Sequence, residues 1–323
     1  MDYMMLGQSG IKVPRLCFGA MNIGGGVLWE TDDKRAMEAL EYAYDLGLNY
    51  IDTAPVYGIG HSERLLAGFL KGRRDKVILA TKCCLQWRDT KGTLEYEREG
   101  HYVYRTHSPA SLRQDLEDSL KRLGTDYIDV YIVHRESLDT PIADVMAALM
   151  DMKKEGKIRA IGLSNSKPDQ LRDYLQYGPI DLVQEKFNLL VGGDKSAYFP
   201  VCEENGVTYQ AYRALEMGLL AGVIGMDYEA AAGSAIASSA WYPADKRRKL
   251  WDVLDAAQPL CDKYETSLGN LMLAYILGCG SFINVLFGTR SKKSVERSCK
   301  ALDIRLDAAD IAHLEALAAK AQN

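Results

Sequence analysis

The chain is poor in the patterns that mark a metalloprotein, a disulfide scaffold or a nucleic-acid binder. Its five histidines (His61, His101, His107, His134, His313) form no HxH pair and no carboxylate cluster at strand ends. A metal-dependent isomerase or lyase needs such ligands, so that class is set aside. The seven cysteines (Cys17, Cys83, Cys84, Cys202, Cys261, Cys279, Cys299) are scattered and lack CxxC spacing, so buried thiols are expected. Cys83 and Cys84 follow a candidate catalytic lysine, but neighbours in a strand point to opposite faces, which argues against a paired reactive thiol. Charge is nearly balanced, 39 Lys plus Arg against 44 Asp plus Glu for a net -5. That gives no electrostatic reason to expect nucleic acid or an anionic membrane as partner. Residues 1–7 have neither the basic stretch nor the apolar run of a secretion signal, so a cytoplasmic protein with reduced thiols is expected.

Two further signals are missing. Residues 266–289 carry no charge and are long enough to cross a bilayer. However, Gly278, Cys279, Gly280 and Ser281 divide that run into a helix-like piece, 268–277, and a strand-like piece, 282–287. The first βα turn, Gly19-Ala20-Met21-Asn22-Ile23-Gly24-Gly25-Gly26, has neither the GxGxxG of a dinucleotide-binding sheet nor the Lys of a P-loop. Its glycines suit a flexible βα loop.

What is present is alternation. Short β-branched runs at 16–19, 50–52, 77–82, 128–134, 160–163, 182–187, 208–212 and 283–287 are separated by amphipathic segments. Eight βα units predict an α/β fold, a closed (β/α)8 TIM barrel in preference to an open doubly wound sheet. Helix signals agree. Asp32 and Asp33 precede 34–46 with Gly47 after it, Ser108-Pro109 opens a helix ending at Leu123-Gly124, and Thr140-Pro141 opens one that stops at Gly156. Leu6-Gly7 and Ser9-Gly10 are turn signals for an N-terminal β-hairpin at the barrel bottom. Extra helical segments are expected near the C-terminus. The Ala, Gly and Ser stretch 230–240 falls where a barrel carries an active-site loop, so residues 1–323 are read as one domain.

Catalytic groups of such barrels project from the C-terminal ends of strands. Asp52, Lys82 and His134 fall at the ends of the second, third and fourth strands, and Tyr57 lies five residues beyond Asp52. A phenol is a weak acid at neutral pH, and a nearby ammonium is the simplest way to lower its pKa. A carboxylate would hold the ammonium, and an imidazole would orient a reacting oxygen. The set suits a carbonyl that becomes an alkoxide. Singly, each residue is equally well a structural ion pair, a core histidine or a packing tyrosine.

The chain resembles the aldo-keto reductases. The resemblance rests on Asp52-Thr53-Ala54-Pro55-Val56-Tyr57-Gly58, on Gly60-His61-Ser62-Glu63, on the Ser119-Leu120-Lys121-Arg122-Leu123-Gly124-Thr125-Asp126-Tyr127-Ile128-Asp129 run, and on the stretch from Gly156 to Asn165. It implies a (β/α)8 oxidoreductase that moves hydride between NADP(H) and a carbonyl or alcohol. In that family Tyr57 would be the proton donor, Lys82 would lower its pKa, Asp52 would pair with Lys82, and His134 would orient the carbonyl. The implied nicotinamide contacts are Ser164, Asn165 and Gln184, with Tyr212 stacking on the ring. The implied cofactor set further includes Gly19, Met21, Asp52, Leu215, Gly218, Gly288, Thr289, Arg290, Ser294 and Ser298.

Two departures from the family pattern concern the cofactor. Arg213 stands where a Ser is usual, and either grips the pyrophosphate or pairs with Glu216. Arg297-Ser298 replaces the usual Glu-Asn near the adenine. Gly288-Thr289-Arg290-Ser291-Lys292-Lys293-Ser294 resembles the family's segment that receives the adenosine phosphate, and its three cations at a helix start favour a 2′-phosphate. NADP(H) is therefore the expected cofactor and NAD(H) the alternative, although Lys292, Lys293 and Arg297 also read as a solvated helix face.

The substrate side is carried by 83–107, read as a long βα loop with Trp87, Arg88, Tyr96, His101, Tyr102, Tyr104 and Arg105. Trp87, Tyr57, His134 and Arg135 are the expected substrate contacts. Trp241 and Tyr242 are further candidates, and Arg88 and Arg105 could meet an acidic group. The Gln86-Trp87-Arg88-Asp89 piece is similar to the family's sugar and polyol reductases. The implied partner is a small carbonyl or alcohol. A second reading is a redox-sensing module that binds cofactor on the same fold and turns over little.

Overall fold

The computed structural model describes residues 1–23, 32–98, 100–136, 139–192, 195–231, 234 and 236–322. A hairpin of β1 (Tyr3–Leu6) and β2 (Ile11–Pro14) comes first. Then follow β3 (Leu16–Gly19), β4 (Tyr50–Asp52), β5 (Ile78–Cys83), β6 (Leu85–Gln86), β7 (Thr93–Arg98), β8 (His101–Arg105), β9 (Ile128–Val133), β10 (Ile158–Ser164), β11 (Leu182–Lys186), β12 (Thr208–Tyr212) and β13 (Ile283–Phe287). β3, β4, β5 and β9 to β13 close into a parallel eight-stranded barrel, with β13 returning to β3. The eight predicted strands are these eight.

The helices are α1 (Asp33–Asp45), α2 (His61–Leu70), α3 (Pro109–Leu123), α4 (Ile142–Lys154), α5 (Pro168–Leu175), α6 (Lys195–Asn205), α7 (Ala244–Lys263), α8 (Leu268–Gly278), α9 (Lys292–Cys299) and α10 (Ala308–Gln322). Their ends follow the local chemistry. The Asp32 side chain accepts from the Arg35 amide, Ser108 accepts from the Ser111 amide, and Gly124 caps α3 in the left-handed conformation. The uncharged run 266–289 divides as expected into α8 and β13. No helix among the described residues is long and apolar enough to cross a membrane.

Leu6, Ile11 and Val13 of the hairpin are buried with Cys17, Tyr50, Ile78, Val130, Ile132, Ala160 and Leu182 from inside the barrel. The hairpin therefore seals the bottom and leaves the opposite end for chemistry. Asp129 braces the wall by accepting from the Leu79 amide and pairing with Arg74 at 2.8 Å and Arg159 at 2.6 Å. This explains why Asp126-Tyr127-Ile128-Asp129 and Lys157-Ile158-Arg159 occur together: their side chains meet across adjacent strands.

One reading changes. The segment after β5 is not a structureless loop, because β6, β8 and β7 form an antiparallel sheet. Its signal was present in the alternating Thr93-Leu94-Glu95-Tyr96-Glu97 and in His101-Tyr102-Val103-Tyr104-Arg105. The helix predicted to open at Thr140-Pro141 begins at Ile142, with Pro141 as its N-cap. Gly24, Gly25 and Gly26, together with Ala232, Gly233 and Ala235 of the stretch 230–240, lie outside the described residues.

Candidate active site

Asp52 and Lys82 reach one another because β4 and β5 are neighbours whose ends open at the same mouth. Both side chains are essentially inaccessible to solvent. Lys82 Nζ donates to Asp52 Oδ1 at 2.6 Å, to the Thr53 carbonyl at 2.8 Å and to Tyr57 Oη at 3.2 Å. Three oxygens thus surround the ammonium, which compensates much of the cost of burying it. Tyr57 is placed by a tight reversal in which Gly58, Ile59 and Gly60 all adopt positive φ before α2 begins. The positive φ at Gly60 favours glycine there, and a β-carbon would also press on the Arg122 side chain at 2.8 Å from Cδ.

Behind this set, Glu63 of α2 accepts from Thr81 Oγ1 at 2.7 Å and from Arg122 Nε at 2.6 Å. The Gly60-His61-Ser62-Glu63 motif is thereby tied to the Ser119-Leu120-Lys121-Arg122 motif and to the neighbour of Lys82. The Tyr57 and His134 rings meet edge to face with centroids 6.1 Å apart.

The electrostatics refine the expected roles. Lys82 does pull the Tyr57 phenol downward, but burial is the larger cause and, with Asp52, leaves the phenol above its ordinary value. The expectation of a net lowering is corrected: the protein alone keeps Tyr57 protonated. Lys82 is held above its usual range, Asp52 and Tyr57 outweighing the cost of burial. His134 is pushed well below the ordinary imidazole value by burial, with Lys82 and Arg135 adding to the effect. It is neutral at pH 7, and its buried Nδ1 has no hydrogen-bond partner among the described residues.

Asp52 Oδ2 opens a chain of amides that sequence reading missed. Gln184 Nε2 donates to Asp52 Oδ2 at 2.9 Å and to Gln210 Oε1 at 2.6 Å. Gln210 Nε2 donates to Asn284 Oδ1 at 2.8 Å, and Asn284 Nδ2 to the Pro14 carbonyl at 2.8 Å. A carboxylate and a backbone carbonyl can only accept, so both ends force the same sense on every amide. Gln184 therefore has both N–H groups engaged and turns Oε1 towards Ser164, whose Oγ is 3.5 Å away. An outward acceptor at this point fits the amide N–H of a nicotinamide. The signal was Gln210 and Asn284 themselves, polar residues in strands that were read as apolar. Asp52, also expected at the cofactor, has both oxygens engaged inside the protein.

The other predicted contacts divide. Tyr212 Oη donates to Asn165 Oδ1 at 2.7 Å, and Asn165 Nδ2 donates to the His134 carbonyl at 2.9 Å and to Ser164 Oγ at 3.0 Å. Asn165, Ser164 and Tyr212 are thus gathered beside His134. Gly19 ends β3 and Gly288 directly follows the adjacent β13, and a β-carbon on Gly288 would strike Asn22 Nδ2 at 2.7 Å. Met21 is exposed on the loop after β3.

The Glu216 alternative for Arg213 is not realised. Glu216 is buried and takes Lys186 Nζ at 3.0 Å, Asn188 Nδ2 at 2.9 Å and Ser239 Oγ at 3.0 Å. Arg213 is exposed at a positive φ of 53°. Leu215 and Gly218 lie in the same turn, Gly218 at φ 99°. Ser294 Oγ meets Ser291 Oγ at 2.9 Å at the start of α9, Thr289 is nearly buried, and Ser298 is buried in the helix's inner face.

On the substrate side, Arg88 is bound to Asp115 and Ser111 of α3, which removes it as an anion contact. Arg122 stands 5.4 Å from the Trp87 ring centre. Tyr242 and the buried Trp241 brace their own loop, Tyr242 Oη bonding to residues 228 and 230. Arg105 and Arg135 both face Glu95 of β7.

The fold is a parallel eight-stranded barrel that carries a carboxylate–ammonium–phenol set at its mouth. A profile of the Aldo/keto reductase family matches residues 15–319, and the chain belongs to that family. It is 39% identical over 316 residues to the NADH-specific methylglyoxal reductase of Escherichia coli (strain K12), covering 96% of each chain. It is 30% identical over 305 residues to a Schizosaccharomyces pombe aldo-keto reductase named for NADP(+), covering 93% of this chain and 86% of that one. The glycerol dehydrogenase structure from Gluconobacter oxydans superposes with a TM-score of 0.90 at 27% identity, covering 99% of this chain and 95% of that chain.

Proposed function

We propose that this protein reduces small, hydrophilic aldehydes or ketones with a nicotinamide cofactor. The reading is carried by Lys82 Nζ, which binds Asp52, the Thr53 carbonyl and Tyr57 Oη at once. Tyr57 gives its proton to the carbonyl oxygen, Lys82 and Asp52 hold the phenol in place, and neutral His134 orients the oxygen. The cofactor, when bound, supplies the hydride. Gln184 Oε1, Ser164 and Asn165 hold the carboxamide, and Tyr212 lies against the ring. A pre-fixed set of polar groups of this kind favours one bound geometry and so contributes to rate.

The small, hydrophilic substrate class is supported by two relatives, one named for methylglyoxal, a three-carbon ketoaldehyde, and one for glycerol. We further propose that NADP(H) is preferred and NAD(H) accepted, because Arg290, Lys292 and Lys293 cluster at the start of α9. The relatives' names divide on this point, one specifying NADH and the other NADP(+). We read residues 1–323 as one domain acting in the cytoplasm.

The test is a fluorescence titration with NADPH and NADH, followed by turnover on a panel of sugars, polyols and simple aldehydes. Saturable cofactor binding with turnover of short hydroxyaldehydes is expected. Tight cofactor binding without turnover of any carbonyl would replace the reductase by a cofactor-sensing module.

A further inference from the structure

Glu95 is the extra residue of a β-bulge. Leu94 lies opposite Tyr104 and Tyr96 opposite Val103, with Glu95 unpaired between them. A bulge re-aims a side chain, and bulges gather beside active sites. Here it sends the carboxylate between two guanidinium groups, 3.4 Å from Arg105 NH1 and 3.1 Å from Arg135 Nε. Arg135 directly follows His134 in sequence. Its main chain is held from behind, since its carbonyl accepts from His107 Nε2 at 2.7 Å and from Cys84 Sγ at 3.2 Å. Arg135 leaves the C-terminal end of β9, where the His134 carbonyl accepts from Asn165 Nδ2 and Asn165 Oδ1 accepts from Tyr212 Oη, and its charge also bears on His134 and Tyr212. The guanidinium therefore lies on the loop that leaves β9 at the C-terminal rim of the barrel, paired with Glu95 and with its side chain 48% exposed.

We propose that Glu95 and Arg135 form a charge-selecting wall of the substrate pocket, which takes neutral hydroxylated carbonyl compounds and rejects carboxylated ones. The inference rests on the reductase reading above and names the substrate class of that same site. A hydroxyl beside the reacting carbonyl can donate to Glu95 or accept from Arg135. A carboxylate at that position must compete with Glu95 for Arg135 while being repelled by it. Charge-assisted bonds to guanidinium are among the stronger polar contacts, so an Arg135 freed of Glu95 becomes an anion site.

The experiment compares two substrates of nearly equal size, glycolaldehyde and glyoxylate, which differ in a neutral hydroxymethyl against a carboxylate. Reduction of glycolaldehyde by the unaltered protein tests the reductase reading by itself. The glyoxylate-to-glycolaldehyde ratio of kcat/KM tests the wall. Glu95→Gln is expected to raise that ratio by about tenfold or more. Arg135→Leu is expected to lower it, since Glu95 then faces the pocket with only Arg105 beside it. In the Glu95→Gln/Arg135→Leu double variant the gain should disappear. A ratio that stays constant in both single variants, or moves the same way in both, overturns the proposal. So does a gain that persists without Arg135.

Discussion

On one side of the barrel mouth the charges are matched inside the protein; on the other, cations stand on the surface. Lys82 meets Asp52, Thr53 and Tyr57 with almost no exposure, and Glu63 meets Thr81 and Arg122. In the loops after β12 and β13, Arg213, Lys293 and Arg297 are exposed and make no ion pair among the described residues, and Lys292 is 3.9 Å from an equally exposed Glu38. The first side is organised before any ligand arrives. We propose that the second acts on cofactor affinity and the first on turnover.

The largest break in this comparison should come from Tyr57→Phe. Removing the proton donor is expected to lower kcat for carbonyl reduction by about two to four orders of magnitude. Cofactor affinity, read by fluorescence, should hardly change, and near-normal kcat would end the assignment. The pH profile sharpens the point. Burial keeps the phenol above its ordinary value of 10.0, so the donor stays protonated through neutral pH and reduction should fall only above that value. Alcohol oxidation needs the phenolate and should rise with pH.

Next is Lys82→Met, which leaves Asp52 buried beside Gln184 with no cation. Such a loss costs about 3–5 kcal/mol of stability, measurable by chemical denaturation. Adding Asp52→Asn should recover much of it by removing the stranded charge. Equal instability of single and double variants would mean that packing, not charge, is what Lys82 supplies.

Arg213→Ser should do the reverse: stability unchanged, affinity reduced. The φ of 53° is unfavourable for either residue, so the exchange relieves nothing in the backbone. Loss of a charge-assisted bond to the pyrophosphate is expected to weaken binding of both coenzymes by about 1–3 kcal/mol. Unchanged titration curves would remove Arg213 from the cofactor site, since Glu216 is already satisfied elsewhere.

Legibility in the sequence follows the same division. The strand ends carrying Asp52, Lys82 and His134 could be read because β-branched runs and helix caps are local signals. Tyr57 could be read because its motif is contiguous. The amide chain through Gln184, Gln210 and Asn284 could not, because it depends on which strands are neighbours and on acceptor-only groups at both ends. Glu95 was hidden for another reason: alternation in β7 is broken by one residue, and a bulge reverses the face that a period-two reading assigns. The sign of the Tyr57 shift was missed because proximity to Lys82 is apparent from the motifs, whereas burial is known only once the barrel closes.

The smallest effect, and the one that separates coenzymes, should come from Lys293→Ala. Lys293 is exposed in the first turn of α9, where its charge adds to the partial positive charge of the helix start. An exposed cation of this kind is worth about 0.3–1 kcal/mol to an anion and is weakened by salt. If a 2′-phosphate sits at this turn, the substitution weakens NADPH binding by that amount, the loss shrinks as salt is raised, and NADH binding is untouched. Equal losses for the two coenzymes would mean that the α9 cations serve the shared diphosphate or the fold. No change for either would leave them as a solvated helix face, and coenzyme choice would then have to be sought in the loop after β12.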